Sequence, residues 1–292
     1  MKIYINGQFV DKAEASVSVF DHGFLYGDGA FEGIRSYGRL VFKLKEHIDR
    51  LYETAHTLMI KIPLTKAQMI KAVVNTLKEN KLTDAYIRVI VTRGEGDLGL
   101  DPNKCYGHPT VIIITDKITL YPAELYKKGL EIITVPTVRN HPEALNPRLK
   151  SLNYLNNILA KIEANNSGCS EAIMLDTQGF VAECTGDNIF IVKNNVLSTP
   201  LQGRLRGITL DTVLDLTAKH KSLWPKMKIN EGYITRHEVY NADECFLTGT
   251  AAEIIPVVKV DGRVIGTGKP GPFTTKMMNL FKEITRQEGV KY

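Results

Sequence analysis

Two periods of apolar and polar residues run along the chain, and they predict a mixture of strands and helices in its first part. Period two is typical of half-buried strands, and a period of about 3.6 is typical of helices with one buried face. The predicted strands cover residues 2–5, 8–10, 85–92 and 110–115, with the first two joined at Asn6-Gly7 as a hairpin. The predicted helices cover residues 45–59 and 65–79.

The second part of the chain shows the same mixture after the pattern breaks near residues 120–123. A strand is predicted from Gly129 to Val138 and another over 243–248. Hairpins are predicted to turn at residues 177–179, 193–195 and 261–262, and helices to begin near Tyr154, Thr209 and Phe273. This order predicts a mixed α/β protein of the α+β class. We expect a small N-terminal α/β domain over 1–119, a linker over 120–128 and a large C-terminal domain over 129–292.

Composition narrows the classes of function. The chain has 292 residues, 43% of them hydrophobic, and a net charge of +5 that no run of Lys and Arg concentrates. Binding to nucleic acid or to an anionic membrane is therefore not expected. The N-terminus lacks the apolar core of a signal peptide and no apolar stretch reaches membrane-spanning length, so we expect a soluble, cytoplasmic protein. Widely spaced cysteines predict structural thiols and no metal site: Cys105, Cys169, Cys184 and Cys245.

Two glycine-containing segments imitate nucleotide-binding motifs. Residues 94–99 match GxGxxG and follow a predicted strand, but Leu100-Asp101-Pro102 comes next, where a helix would have to begin. Gly268-Lys269-Pro270 lacks the Ser or Thr of a Walker A motif. Both segments are predicted to be loops without a nucleotide-binding role.

Two short segments hold residues suited to the chemistry of pyridoxal phosphate (PLP). Lys150 lies at a predicted strand-to-helix junction, with Tyr154 four residues later. Glu183 ends an apolar strand and is followed by a stretch of small and polar residues. Taken alone, a solvated lysine and a surface glutamate are the more common interpretations. A PLP enzyme, however, needs a lysine to carry the cofactor and an acid to keep its ring nitrogen protonated.

Two longer motifs accompany these residues. Residues 21–35 read DHGFLYGDGAFEGIR, and residues 42–51 read FKLKEHIDRL. Together with Lys150, Tyr154 and Glu183, they resemble the branched-chain-amino-acid aminotransferases of PLP fold type IV, along essentially the whole chain. The resemblance implies a two-domain fold like that of D-amino-acid aminotransferases and pyridoxal 5'-phosphate as cofactor. It also implies that the three residues are the Schiff-base lysine, the tyrosine on the ring oxygen and the acid on the ring nitrogen.

The same resemblance implies a cradle for the cofactor phosphate. Arg50 matches the family's bidentate phosphate ligand. A predicted helix opens with a tripeptide whose N–H groups suit an anion, although a plain N-cap would look the same: Gly207, Ile208 and Thr209. After the strand 243–248, Gly249 and Thr250 would contact the phosphate. The turn that follows would offer N–H groups to the substrate carboxylate: Ala251 and Ala252.

Substrate class depends on the strand 85–92 and the loop after it. By period two, Tyr86 and Arg88 share one face, and this Tyr-x-Arg pair is similar to that of branched-chain enzymes. An ordinary half-exposed strand would also show it. The Arg-x-His pair of D-amino-acid enzymes is absent from residues 93–100. The second carboxylate of glutamate or 2-oxoglutarate would bind Arg88, assisted by Tyr26 or Tyr86.

The resemblance gives the substrate an apolar pocket that two subunits share. Its wall would be Phe31 and Tyr26, and Leu98 and Leu100 would arrive from a partner subunit. A pocket of this kind accepts leucine, isoleucine or valine, because it cannot compensate the desolvation of a charged side chain. We therefore expect a homodimer or a higher homo-oligomer with shared active sites.

The expected reaction is a ping-pong transamination between branched-chain L-amino acids and 2-oxoglutarate, in which Lys150 carries PLP as an internal aldimine and moves the α-proton. The spacing from Lys150 to Tyr154 also resembles D-amino-acid enzymes and archaeal branched-chain enzymes. The aromatic segment of the bacterial enzymes is reduced to Tyr121. D-amino-acid or (R)-amine transamination, aminodeoxychorismate lyase activity and a non-catalytic small-molecule-binding role remain the alternatives.

Overall fold

The computed structural model describes residues 1–117 and 121–292, and the chain divides into two compact units. The first comprises Met1–Ile118, Leu149–Asn153 and Thr285–Tyr292, and the second comprises Thr119–Arg148 and Tyr154–Ile284. The expected division between residues 119 and 120 lies outside the described residues. Two segments expected in the C-terminal domain pack with the first unit, because one bonds to a strand of that unit and the other adds a strand to its sheet.

The helices, in chain order, are α1 (His22–Tyr26), α2 (Leu44–Thr57), α3 (Lys66–Glu79), α4 (Ala123–Lys128), α5 (Leu155–Asn166), α6 (Ile208–Lys219), α7 (Arg236–Tyr240) and α8 (Pro272–Ile284). The strands are β1 (Lys2–Ile5), β2 (Gln8–Asp11), β3 (Gly29–Tyr37), β4 (Leu40–Val41), β5 (Ala85–Thr92), β6 (Val111–Asp116), β7 (Leu130–Thr134), β8 (Ala172–Leu175), β9 (Val181–Cys184), β10 (Asn188–Lys193), β11 (Val196–Pro200), β12 (Lys228–Gly232), β13 (Glu244–Gly249), β14 (Glu253–Val260), β15 (Arg263–Val264) and β16 (Val290–Lys291).

In the first unit, an antiparallel sheet runs in the order β16-β4-β3-β5-β6-β1-β2. Helices α2 and α3 pack against one of its faces. Strand β5 turns Ile87 and Val89 into the core beneath the helices, whereas Tyr86 and Arg88 alternate onto the opposite, half-buried face. The two faces of this sheet therefore differ in chemistry, one being apolar core and the other a surface that offers polar groups.

In the second unit, a mixed sheet runs in the order β12-β11-β10-β13-β14-β7-β8-β9, and β15 pairs with β14. Strand β10 is buried along nearly its whole length, so both faces of the sheet are covered. On one face Phe190 and Phe246 stack with ring centroids 5.0 Å apart, and Phe273 of α8 packs 6.1 Å from Phe246. Ring contacts of this kind hold β10, β13 and α8 together, and candidate site residues follow the end of β13.

Element type is confirmed where the period is clear. Strand β5 spans the residues predicted for it, and α3 follows Thr65, whose side chain forms a capping box with Gln68. Residues 94–99 form a loop, as predicted. The strand predicted from Gly129 to Val138 is shorter in the structure, where β7 ends at Thr134.

No helix among residues 1–117 and 121–292 is long and apolar enough to cross a membrane. The expected cytoplasmic location stays a prediction. The four cysteines are free thiols, and three of them are buried, as expected for structural residues: Cys169, Cys184 and Cys245.

Candidate active site

Strand β3 contributes two kinds of residue to the first unit. Ala30 belongs to the core beneath the helices, and Glu32 lies on the same face, fully buried. Phe31 and Gly33 alternate onto the other face, where Gly33 is paired with Arg88 of β5. A carboxylate buried as completely as that of Glu32 is costly unless a cation and hydrogen bonds compensate it.

Helix α2 supplies that compensation. Arg50 donates to both oxygens of Glu32, with Nε–Oε1 at 2.7 Å and Nη2–Oε2 at 2.8 Å. His47 Nδ1 lies 2.7 Å from Oε2 of the same carboxylate. Burial alone would raise the pKa of Glu32, but the charge of Arg50 and the hydrogen bonds from His47 and Arg50 lower it to about 2. Burial lowers the pKa of His47, so its ring is neutral at neutral pH and Arg50 carries the compensating charge.

Lys150 lies against Phe31, the residue before Glu32 on β3. Its carbonyl accepts a hydrogen bond of 3.0 Å from Phe31 N, and its Nζ lies 4.6 Å from the centroid of the Phe31 ring. The adjacent Ser151 forms an isolated bridge with Ala30. Because a lysine ammonium or amine over an aromatic face is held in a defined place, β3 fixes the position of Lys150 within the first unit.

The predicted pair on β5 is also held in place. Arg88 Nη2 donates to the Tyr86 hydroxyl at 3.0 Å, and the guanidinium lies 4.5 Å from the centroid of the Phe31 ring. A Cβ at Gly33 would lie 2.2 Å from the Tyr86 hydroxyl, so only glycine leaves room for that hydroxyl. A cation, a hydroxyl and an apolar ring thus share one surface, and the contact favours Tyr86 over Tyr26 as the residue that assists Arg88.

Tyr26 lies instead with the loop after β5. Its hydroxyl donates to the carbonyl of Leu98, and the side chains of Leu98 and Leu100 are 68% and 79% exposed. The sequence prediction divided Tyr26 and Leu98 between two subunits, one forming the wall and the other arriving from the partner. The hydrogen bond joins them on one surface of one chain.

In the second unit, Glu183 is held at the end of β9 by several donors. Arg139 Nε donates to Oε1 at 2.9 Å. Asn188 Nδ2 and the backbone N–H of Leu205 donate to Oε2 at 3.2 and 3.0 Å. Glu183 is 5% exposed, so these donors fix the plane of a buried carboxylate that, when ionised, is an acceptor only. The arrangement suits a carboxylate that faces a cationic partner.

The predicted phosphate cradle combines a helix start with two close-packed glycines. Gly207 is the N-cap of α6, whose first N–H groups have no partner within the helix. A Cβ at Gly207 would lie 2.1 Å from Asn188 Oδ1, and a Cβ at Gly249 would lie 2.0 Å from Asp187 Oδ1. Thr248 is paired with Asn188 across β10 and β13, and its buried hydroxyl has no hydrogen-bond partner in the part of the chain that the structure describes.

The remaining predicted residues of the second unit sit at element ends. Tyr154 is the N-cap residue of α5. Ile208 and Thr209 form the first turn of α6, and Thr209 is buried. The turn between β13 and β14 contains the last three: Thr250, Ala251 and Ala252. The Tyr126 hydroxyl donates to the carbonyl of Ala252 at 3.0 Å, which orients that turn.

Several residues beside these were not found from the sequence. Glu32 and His47 lie inside the two quoted motifs. Glu32 is 18 residues from Arg50, however, so no local pattern shows that the two residues form an ion pair once β3 and α2 pack together. Arg139 carries no local signal, since it follows β7 in a loop. Asp187, which is buried, lies in the stretch of small and polar residues after Glu183, and its carboxylate was the one sign of it in the sequence.

The chain is similar to known proteins along nearly its whole length. The profile of the family described as "Amino-transferase class IV" matches residues 29–260. A Methanocaldococcus jannaschii protein, provisionally named a branched-chain-amino-acid aminotransferase, is 55% identical over 100% of this chain and 99% of its own. The Pseudomonas aeruginosa branched-chain-amino-acid aminotransferase is 39% identical, over 97% of this chain and 92% of its own.

Solved structures show the same fold. The branched-chain amino acid aminotransferase of Escherichia coli superposes with a TM-score of 0.92 at 33% identity, and the match covers 97% of this chain and 93% of that one. The Thermobaculum terrenum enzyme in its PLP form has a TM-score of 0.86 at 27% identity, over 98% of this chain and 94% of its own. The fold type expected from the sequence is thereby confirmed.

Class IV aminotransferases use PLP, and each unit by itself carries residues whose chemistry suits that group. The first unit offers a held amine at Lys150 and a fixed guanidinium at Arg50. The second offers the anchored acid Glu183 and the helix start at Gly207. The chain belongs to the class IV aminotransferase family of PLP enzymes.

Proposed function

We propose that this protein transfers amino groups between branched-chain L-amino acids and 2-oxoglutarate. One observation carries the proposal: the guanidinium of Arg88 lies 4.5 Å from the ring of Phe31 and is held by Tyr86. The aromatic wall accepts a branched aliphatic side chain, and the cation beside it accepts the second carboxylate of glutamate. Arg88 Nε is buried without a hydrogen-bond partner in the described residues, so a carboxylate would supply the missing acceptor.

Three residues have specific roles in the proposed reaction. When bound, PLP supplies an electron sink for the bond that breaks at the substrate α-carbon. The Lys150 amine carries the cofactor and then moves the proton at that carbon, because an amine held over Phe31 has little freedom to leave. Glu183 holds a proton at the ring nitrogen through its negative charge, and Arg50 binds the phosphate.

Further cofactor contacts are assigned to residues that close the cradle. The donors proposed for the phosphate and ring oxygen are Tyr154, Gly207, Ile208, Thr209, Gly249 and Thr250. The N–H groups of Ala251 and Ala252 are assigned to the substrate α-carboxylate. Support comes from the helix start at α6, which attracts anions, and from the turn that Tyr126 orients.

We further propose a homodimer in which a second chain completes the pocket. Leu98 and Leu100 are exposed in a single chain, and so are Phe24 and Tyr106. Tyr106 follows Cys105, which forms a β-bridge with Gly96, and Phe24 lies three residues after Asp21, which forms a β-bridge with Glu95. An exposed apolar surface of this kind is typical of an interface. Because Tyr26 bonds to Leu98, we assign Tyr26 to the same contribution from the partner.

Half-reaction spectra test the proposal. Purified protein loaded with PLP should lose its visible absorption rapidly with L-leucine, and slowly or not at all with D-alanine or (R)-1-phenylethylamine. A faster reaction with either of the last two would assign the protein to another transaminase class. Lys150→Ala should lack the visible absorption, whereas Lys45→Ala, at an exposed position on α2, should keep it. A wild-type protein that takes up no PLP would favour a non-catalytic role.

A further inference from the structure

The geometry points to Glu32 and His47 as positioning residues that hold the Arg50 guanidinium in place for a phosphate. This inference rests on the proposed function, in which Arg50 binds the phosphate of PLP. It adds to that function a reason why the arginine is ready before the cofactor arrives.

The contact between Arg50 and Glu32 uses one whole edge of the guanidinium. Nε and Nη2 each donate to a different carboxylate oxygen, at 2.7 and 2.8 Å. A guanidinium is planar, so fixing one edge fixes the direction of the whole group, including Nη1, which is not part of this pair. Two parallel hydrogen bonds to a charged acceptor are both strong and directional.

His47 holds the carboxylate from a second direction. Its Nδ1 lies 2.7 Å from Glu32 Oε2, and its side chain is 2% exposed. His47 and Arg50 are three residues apart on α2, so they lie on one face of that helix, opposite Glu32 on β3. The neutral ring acts as a donor, and Glu32 therefore cannot rotate without losing a bond to one of its two neighbours.

The position of this pair in the core indicates a specific role. Glu32 is fully buried beside apolar residues of β3 such as Ala30, and an apolar side chain of similar volume would stabilise such a core at least as well. The residue before Glu32, Phe31, donates its backbone N–H to the carbonyl of Lys150. Consecutive residues of one strand thus hold the guanidinium and the amine that the proposed reaction uses.

The test compares two ligands that differ only in the phosphate. Apo-protein is titrated with PLP and with pyridoxal, and the dissociation constants are read from the visible absorption of the lysine-bound form. In Glu32→Gln, one donor of Arg50 would meet an amide N–H₂ group, so the fork must rotate. We expect PLP to bind about 10-fold or more weakly, while pyridoxal binding changes by less than about 2-fold.

Coupling to Arg50 provides the second arm. In an Arg50→Lys background, Glu32→Gln should weaken PLP binding by less than about 2-fold, because the fork that Glu32 holds is already gone. His47→Leu should weaken PLP binding by about 3-fold and His47→Asn should restore it, since an asparagine amide can donate where Nδ1 does. Should Glu32→Gln not fold, the His47 pair decides the question alone.

Some outcomes would overturn the inference. Equal weakening of PLP and pyridoxal would mean that Glu32 only maintains the fold, and no weakening of either would mean that it does not position Arg50. Glu46→Gln, at an exposed position of the same helix, is the matched control and should change neither constant. A wild-type protein that binds pyridoxal and PLP equally would remove the phosphate role of Arg50, and one that binds neither would end the proposed function as well.

Discussion

Asp187 shows how strongly a single residue of the second unit is affected by its surroundings. Burial, followed by the charge of Glu171, raises its pKa from 3.8 to about 7, although a hydrogen bond from the Tyr121 hydroxyl partly opposes the rise. Glu171 itself accepts bonds from the backbone and hydroxyl of Thr185. The folded protein thus binds a proton at Asp187 more tightly than the unfolded chain does.

This difference between the folded and the unfolded chain makes the stability of the protein depend on pH. Because the pKa is higher in the folded state, the protein loses stability as the pH rises from about 4 through 7. Asp187→Asn removes the charge and keeps the shape. We expect it to be more stable than wild type by on the order of 2 kcal/mol at pH 8, with the difference vanishing below about pH 4.

Urea denaturation across this pH range provides the measurement. Asp116→Asn, at an exposed position, is the control and should show no such trend. A stability difference at pH 8 that is absent, or of opposite sign, would mean that Asp187 is ionised at no cost to the fold.

At the scale of elements, the pairing of β3 with β5 determines where the groups proposed to face the substrate lie. Gly33 is opposite Arg88, and a Cβ there would lie 2.2 Å from the Tyr86 hydroxyl. Gly33→Ala should push this hydroxyl away and break its bond to Arg88. We expect KM for glutamate to rise about 10-fold, and KM for leucine to change about 2-fold or less, because only glutamate uses the cation.

Steady-state kinetics with both amino acids check this expectation. Gly232→Ala is a suitable control, because its Cβ would meet only the flexible side chain of Asn230, at 3.3 Å. Equal changes in the two KM values would argue that Arg88 does not distinguish the substrates.

How far the elements could be predicted depended on the clarity of their period. Strand β5 alternates between core and half-exposed positions, so its limits and the shared face of Tyr86 and Arg88 were predictable. Strand β3 was not predicted as a strand, because it is buried on both faces for most of its length and contains glycine and charged residues. Helices α1 and α7 have only five residues each, too few for a helical period to be seen.

Prediction of the candidate site from the sequence had a similar limit. Lys150, Glu183 and Arg50 were predicted as site residues because motifs that resemble a family surround them. The partners that hold them were not found, since Arg139 lies 44 residues from Glu183 and Glu32 lies 18 from Arg50. Such pairs arise from packing between elements, which no local pattern records.

At the scale of the whole molecule, the described residues include two exposed apolar surfaces that matter for assembly. One is the loop with Leu98 and Leu100, and the other is a stripe on α5 at helical spacing: Leu155, Ile158, Leu159 and Ile162. Soluble proteins rarely leave such surfaces uncovered, which supports the proposed self-association.

Charge placed on both surfaces should weaken the proposed dimer. Leu98→Asp combined with Leu159→Asp should shift the protein toward monomer at micromolar concentration in sedimentation velocity, because each aspartate would be buried unpaired at the interface. Activity should fall by about 10-fold or more if the partner completes the pocket. Val264→Asp, an exposed apolar position on β15, should change neither. A wild-type protein that is already monomeric and fully active would contradict the shared pocket.

The short segment Leu149–Asn153 belongs to the first unit, although residues on both sides of it belong to the second. The sequence could not reveal this, because the two hydrogen bonds that join the segment to β3 connect residues more than 100 positions apart. The segment brings Lys150 against β3, and the proposed function requires that this lysine carries the cofactor. The most direct test is to reduce the PLP-loaded protein with borohydride and map the phosphopyridoxyl group by peptide mass spectrometry. We predict that the group is found on Lys150; its presence on any other lysine, or its absence, would contradict the account.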